Sequence, residues 1–63
     1  MTLDELRKAI QAKCKERGWA VMDLARATEV SPEALRRFVS ARGELKPATV
    51  IRIARALGIN YQR

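Results

Sequence analysis

Leu3, Leu6, Ile10 and Cys14 recur at spacings of three, four and four, which lines them up on one side of an α-helix. Thr2, followed three residues later by Glu5, gives this helix a capping-box start. Asp4 and Glu5 in the first turn and Lys13, Lys15 and Arg17 towards the end suit the helix dipole. Gly18 supplies a stop, so the first helix is predicted over 3–17. Trp19 is expected to lie as a lid on the core, since a large aromatic supplies much burial in a short chain. Leu24 and Ala25 give an inward side to a second helix over 21–28, whose start is weakly marked because Ala20 has no capping oxygen. Ser31 and Pro32 are a strong N-cap and first-turn pair and open a third helix over 32–40. Its Leu35, Phe38 and Val39 face inward, with Ala34 at the edge. Pro32, Glu33, Arg36, Arg37 and Ser40 are left to solvent. Residues 41–46 read as a loop, with Gly43 expected at an unusual backbone angle and Leu45 tucked onto the core. Pro47 opens a fourth helix over 48–57, apolar on a wide side through Val50, Ile51, Ile53, Ala54 and Leu57, and Gly58 stops it. Ile59 and Tyr61 follow. The pattern predicts an all-α domain.

Composition narrows what such a domain does. The chain has 63 residues, one small domain of a size that buries only about 60% of its unfolded surface. Apolar residues make up 48%, but ten of them are Ala. There is no His, and Cys14 is the only cysteine. That excludes an intrachain disulfide, a cysteine-rich zinc site and a Cys-His nucleophile pair within one chain. No acidic pair suggests a concave catalytic site, so no enzyme, metal or cofactor is expected. No apolar run reaches the roughly 20 residues that span a bilayer, and the start lacks signal-peptide segments. A cytoplasmic setting is the simplest expectation.

Thirteen basic residues against seven acidic give a net charge of +6, which points to a polyanionic partner. Residues 21–40 hold three basic and three acidic side chains, so the excess lies on either side of them. Two short helices joined by a tight turn fill that central stretch, the second with a clean start, a buried side and two exposed arginines. This is what a helix-turn-helix requires. The DNA major groove is about 12 Å wide and admits one helix, whose exposed side chains reach base edges.

Gly18-Trp19-Ala20-Val21-Met22-Asp23-Leu24-Ala25-Arg26-Ala27-Thr28-Glu29-Val30-Ser31-Pro32-Glu33-Ala34-Leu35-Arg36-Arg37-Phe38 resembles the Cro/C1-type, lambda-repressor-like helix-turn-helix of phage and bacterial regulators. Ile51-Arg52-Ile53-Ala54-Arg55-Ala56-Leu57-Gly58-Ile59 is similar to that family's last shared helix. The resemblance implies a compact four-helix fold lacking a full fifth helix. It implies a sequence-specific double-stranded DNA-binding regulator, a small repressor that occupies an operator through its third helix. A two-fold dimer on a palindromic site is the usual arrangement. Departures are Glu29 where the family has Gly at the turn, Ala20 and Val21 where Ser or Thr and then Gln are common, and Lys13 near a usual apolar position.

By matching positions, Pro32, Glu33, Arg36 and Arg37 are the base-reading candidates. Arg36 leads, because an arginine bonds guanine O6 and N7 in a bidentate way. Arg42 and Lys46 in the loop, Arg17 and Arg26, Ser40, and the backbone N–H of Val21 are candidates for phosphate contacts. Ile59, Tyr61 and Arg55, within the helix 4 and 59–63 region, are candidates for a dimer surface. Two other readings stay open. One is a protein-interaction module on the same fold, such as an antitoxin, an antirepressor or an assembly subunit. The other is a nonspecific DNA binder, which needs charge but no selective helix.

Overall fold

A computed structural model describes residues 1–61. Four helices, α1 (Leu3–Arg17), α2 (Val21–Thr28), α3 (Pro32–Val39) and α4 (Pro47–Ala56), are joined by short turns and one loop. The described residues contain no strand. The fold is therefore all-α and four-helical. α3 packs against α1 and α2, and α2 packs in turn against α4.

Each start has a local cause. At α1 the Glu5 N–H donates to Thr2 Oγ1 at 3.1 Å and the Thr2 N–H donates to Glu5 Oε1 at 2.8 Å, a complete capping box. At α2 Ala20 offers no oxygen, and Asp23 bonds back instead, its Oδ2 accepting the Ala20 N–H at 2.8 Å. α3 and α4 both begin on a proline. Ser31 precedes Pro32 without making a side-chain cap bond, so Pro32 rather than the serine hydroxyl sets that start. α3 ends at Val39, one residue short of the expected Ser40, which is its C-cap at φ −84°, ψ 4°. α4 begins at Pro47 and stops at Ala56, with Leu57 as C-cap.

All four helices end the same way. A residue with positive φ follows the helix, and the next N–H donates back five residues. Those residues are Gly18 (φ 67°), Glu29 (φ 58°), Ala41 (φ 61°) and Gly58 (φ 69°). The returning bonds are Trp19 to Cys14 O at 2.8 Å, Val30 to Ala25 O at 3.3 Å, Arg42 to Arg37 O at 2.7 Å and Ile59 to Ala54 O at 2.8 Å. The unusual angle of the 40–46 loop therefore falls on Ala41. Gly43 meets a different need, because a Cβ there would lie 3.0 Å from Arg37 Cβ.

Leu6, Ile10, Leu24, Ala25, Leu35, Phe38, Val50, Ile53, Ala54 and Leu57 form the buried core, drawn from every helix and the α4 cap. Cys14, Trp19, Val21, Val30, Val39, Leu45, Ile59 and Tyr61 pack around it, half-buried. Leu3 departs from the expected stripe and is 41% exposed: it lies in the first turn of α1, where the helix has not yet reached the core. Thr28 is buried, and its hydroxyl donates to Leu24 O at 2.8 Å, which removes the cost of an unpaired polar group.

Candidate nucleic-acid interface

α2, the turn at Glu29–Val30 and α3 make the bihelical unit. Leu35 and Phe38 are almost fully buried and hold α3 down along one side. Glu33, Arg36 and Arg37 are exposed on its other side, with Pro32 half-buried at its start. Eight residues give α3 a length of about 12 Å, enough for three or four side chains to reach into one groove.

The two arginines differ. Arg37 Nη2 donates to Glu33 Oε1 at 2.9 Å across one helical turn. Both side chains are well exposed, so the pair is worth only a few tenths of a kcal/mol, roughly 0.3–0.5. It orients Arg37 along the helix and offsets part of its charge. Arg36 has no side-chain hydrogen bond or ion pair among the described residues.

The loop after α3 lies close against it. Gly43 allows the chain to approach the Arg37 stem, and the Arg42 N–H donates to Arg37 O at 2.7 Å. Arg42 is thus held near the C-terminal end of α3 with an exposed side chain, as is Ser40, and Lys46 is exposed at the N-cap of α4. Arg26 is exposed on α2. Val21 packs its side chain against the core, while its N–H stands in the first turn of α2, where no carbonyl within the helix is available to it.

Arg17 is engaged elsewhere. Its Nη1 donates to Ala56 O at 3.1 Å and its guanidinium lies 5.0 Å from the Trp19 ring centroid. Arg55 is exposed on α4, whereas Ile59 and Tyr61 are half-buried against the core. Tyr61 also lines a shallow apolar cavity of about 100 Å³ with Leu3, Leu45, Pro47 and Val50. Gln62 and Arg63, part of the 59–63 tail considered for pairing, lie outside the described residues.

Three side chains outside the expected contact set touch the C-terminal ends of α3 and α2. Arg7 Nε donates to Phe38 O at 2.7 Å, and its guanidinium sits 4.9 Å from the Phe38 ring centroid. Gln11 Nε2 donates to Val39 O at 3.4 Å. Arg52 Nη1 donates to Thr28 O at 3.3 Å. The only hint in the sequence is that Arg7 and Gln11 directly follow the core residues Leu6 and Ile10, at the border of the buried stripe.

The Cys14 thiol is pushed up in pKa by its partial burial, with Arg17 opposing the shift and Asp23 adding to it, and its side chain packs against the core. Among the described residues no cluster of three His, Cys, Asp or Glu side chains is placed to hold a metal ion. No described helix is long and apolar enough to cross a membrane.

A short helix fixed by its apolar side, presenting arginines beside a basic loop, defines a helix-turn-helix DNA-binding unit. The family model described as helix-turn-helix, the Cro/C1 type, matches residues 10–62, and the chain belongs to that family. No curated protein and no solved structure matches it significantly. Members of the family are DNA-binding regulatory domains rather than enzymes, and this chain is one of them.

Proposed function

We propose that the chain is a sequence-specific regulator of transcription, a small cytoplasmic repressor. It acts as one helix-turn-helix domain that occupies an operator with α3 in the major groove. The observation that carries this reading is Arg36: mid-helix, exposed, and without a side-chain partner among the described residues. Leu35 and Phe38 anchor the opposite side of the same helix. Arg36 reads a guanine edge. Arg37 reads a base or holds phosphate once it leaves Glu33, and Glu33 with Pro32 shapes the choice of neighbouring bases. Arg42, Lys46, Arg26, Ser40 and the Val21 N–H hold the backbone. Arg17 ranks last among these, because Ala56 and Trp19 already occupy its guanidinium. Binding as a homodimer on a palindromic site is proposed, with Arg55 and the outer parts of Ile59 and Tyr61 at the pairing surface.

Exposure of the purified protein to a random duplex library near physiological salt tests this. An enriched palindrome with half-sites about 34–36 Å apart is the expected result. Retention of DNA without enrichment would replace it with nonspecific binding. No retained DNA would replace it with a protein-interaction role for the same fold.

A further inference from the structure

We infer that Arg7 and Gln11 of α1 are positioning residues for base reading, acting through the C-terminal end of α3. The inference rests on the proposal that α3 reads DNA.

The last carbonyls of a helix have no partner within it. Phe38 O accepts the Ala41 N–H at 3.1 Å from the following turn and Arg7 Nε at 2.7 Å from α1. Val39 O accepts Gln11 Nε2 at 3.4 Å. Arg7 and Gln11 stand four residues apart, on one side of α1, so two rungs of α1 meet two successive carbonyls of α3. Arg7 is itself fixed. Its Nη1 donates to Asp4 Oδ1 at 3.0 Å, its guanidinium covers the Phe38 ring, and its side chain is 14% exposed. The arrangement also sets a positive charge at the negative end of the α3 dipole.

Apolar burial of Leu35 and Phe38 sets how deep α3 sits, but it is non-directional and leaves tilt and roll loosely defined. Hydrogen bonds are directional. At its start α3 has no side-chain cap bond from Ser31, so among the described residues the α1 clamp is the directional side-chain tie from another helix onto α3. Base reading needs functional groups held within about 0.5 Å, whereas holding phosphate tolerates more. Loosening the clamp therefore costs discrimination before it costs general DNA affinity.

The test compares wild type with Gln11→Ala, Asp4→Asn, Arg7→Met and Arg7→Lys. Affinity is measured for the duplex that wild type enriches from a random library and for a scrambled duplex of equal length, across a salt series. Circular dichroism reports folding. Gln11 and Asp4 are exposed, so those two variants keep the test valid if Arg7→Met fails to fold. The expected result is a fall in preference for the enriched duplex by about three- to tenfold, the range of one net hydrogen bond. Affinity for the scrambled duplex and the salt slope stay unchanged. Arg7→Lys, which still donates to Phe38 O, recovers part of what Arg7→Met loses. An unchanged preference in folded variants overturns the inference. So does equal weakening on both duplexes with a salt slope reduced by about one, which would make Arg7 a phosphate contact. If wild type enriches no duplex, the DNA-reading proposal falls first, before any variant is compared.

Discussion

Glu29 and Ala41 hold nearly the same left-handed backbone as Gly18 and Gly58, and they stand on either side of α3. A side chain at such an angle brings its Cβ against a carbonyl at a cost of roughly 1–2 kcal/mol. The molecule therefore uses glycine at the outer two helix ends and carries strain at the two that flank α3. Glu29→Gly and Ala41→Gly are each expected to raise stability by about 1 kcal/mol, which lifts the melting temperature of a domain this small by roughly 4–8 °C. A melting temperature that is unchanged or lower would show that the Glu29 or Ala41 side chain contributes more than its backbone costs. The turn at Glu29 was legible because the resemblance places a glycine of the family there, but the left-handed angle of the glutamate shows only in the folded chain. Gly43 misled for a physical reason. A glycine answers either to an angle or to a lack of space, and only the packed chain reveals the 3.0 Å approach to Arg37.

The helices themselves were legible from apolar spacing, because each buries one side and the period of 3.6 leaves its mark in the sequence. Their ends were legible where the cap is local. Thr2 and Glu5 satisfy one another within three residues, so the sequence contains the whole device. Their hydrogen bonds hold the Glu5 carboxyl below the usual carboxylate range. A lowered folded value means that this stabilisation is complete above the ordinary carboxylate pKa and is lost as the pH falls through the folded one. The stability gap between wild type and Glu5→Gln is thus expected to be constant near neutrality and to shrink on acidification below that range. A gap that persists into strong acid, measured by urea unfolding across pH, would assign the effect to side-chain shape instead. Ser31 is the counter-example: it has the right residue type at the right place, yet it makes no cap bond, and α3 starts on Pro32 without one. Leu3 fits the stripe but stays exposed, since spacing does not say where along a helix the core begins.

At the scale of the whole molecule, the net charge of +6 overstates what faces a partner. Arg7, Arg17 and Arg52 each donate to a terminal carbonyl of another helix, at Phe38 on α3, Ala56 on α4 and Thr28 on α2. These three bonds span 31, 39 and 24 residues of sequence. No local pattern announces them, since they exist only once the helices have met. Counting arginines along the chain thus identifies the class of partner but not the arginines that touch it. Those left without a side-chain tie among the described residues, Arg26, Arg36, Arg42 and Arg55, lie outside these caps. Arg36 alone of them sits within α3. In the proposed function this side chain reads a base. The most direct measurement is the binding of wild type and Arg36→Ala across one random duplex library near 0.15 M salt, a salt level at which charge is screened beyond about 8 Å. The expected result is a loss of about 1–3 kcal/mol concentrated on sequences with the preferred base at one position, and relaxed choice there. Equal weakening for every sequence, or no change, would contradict it.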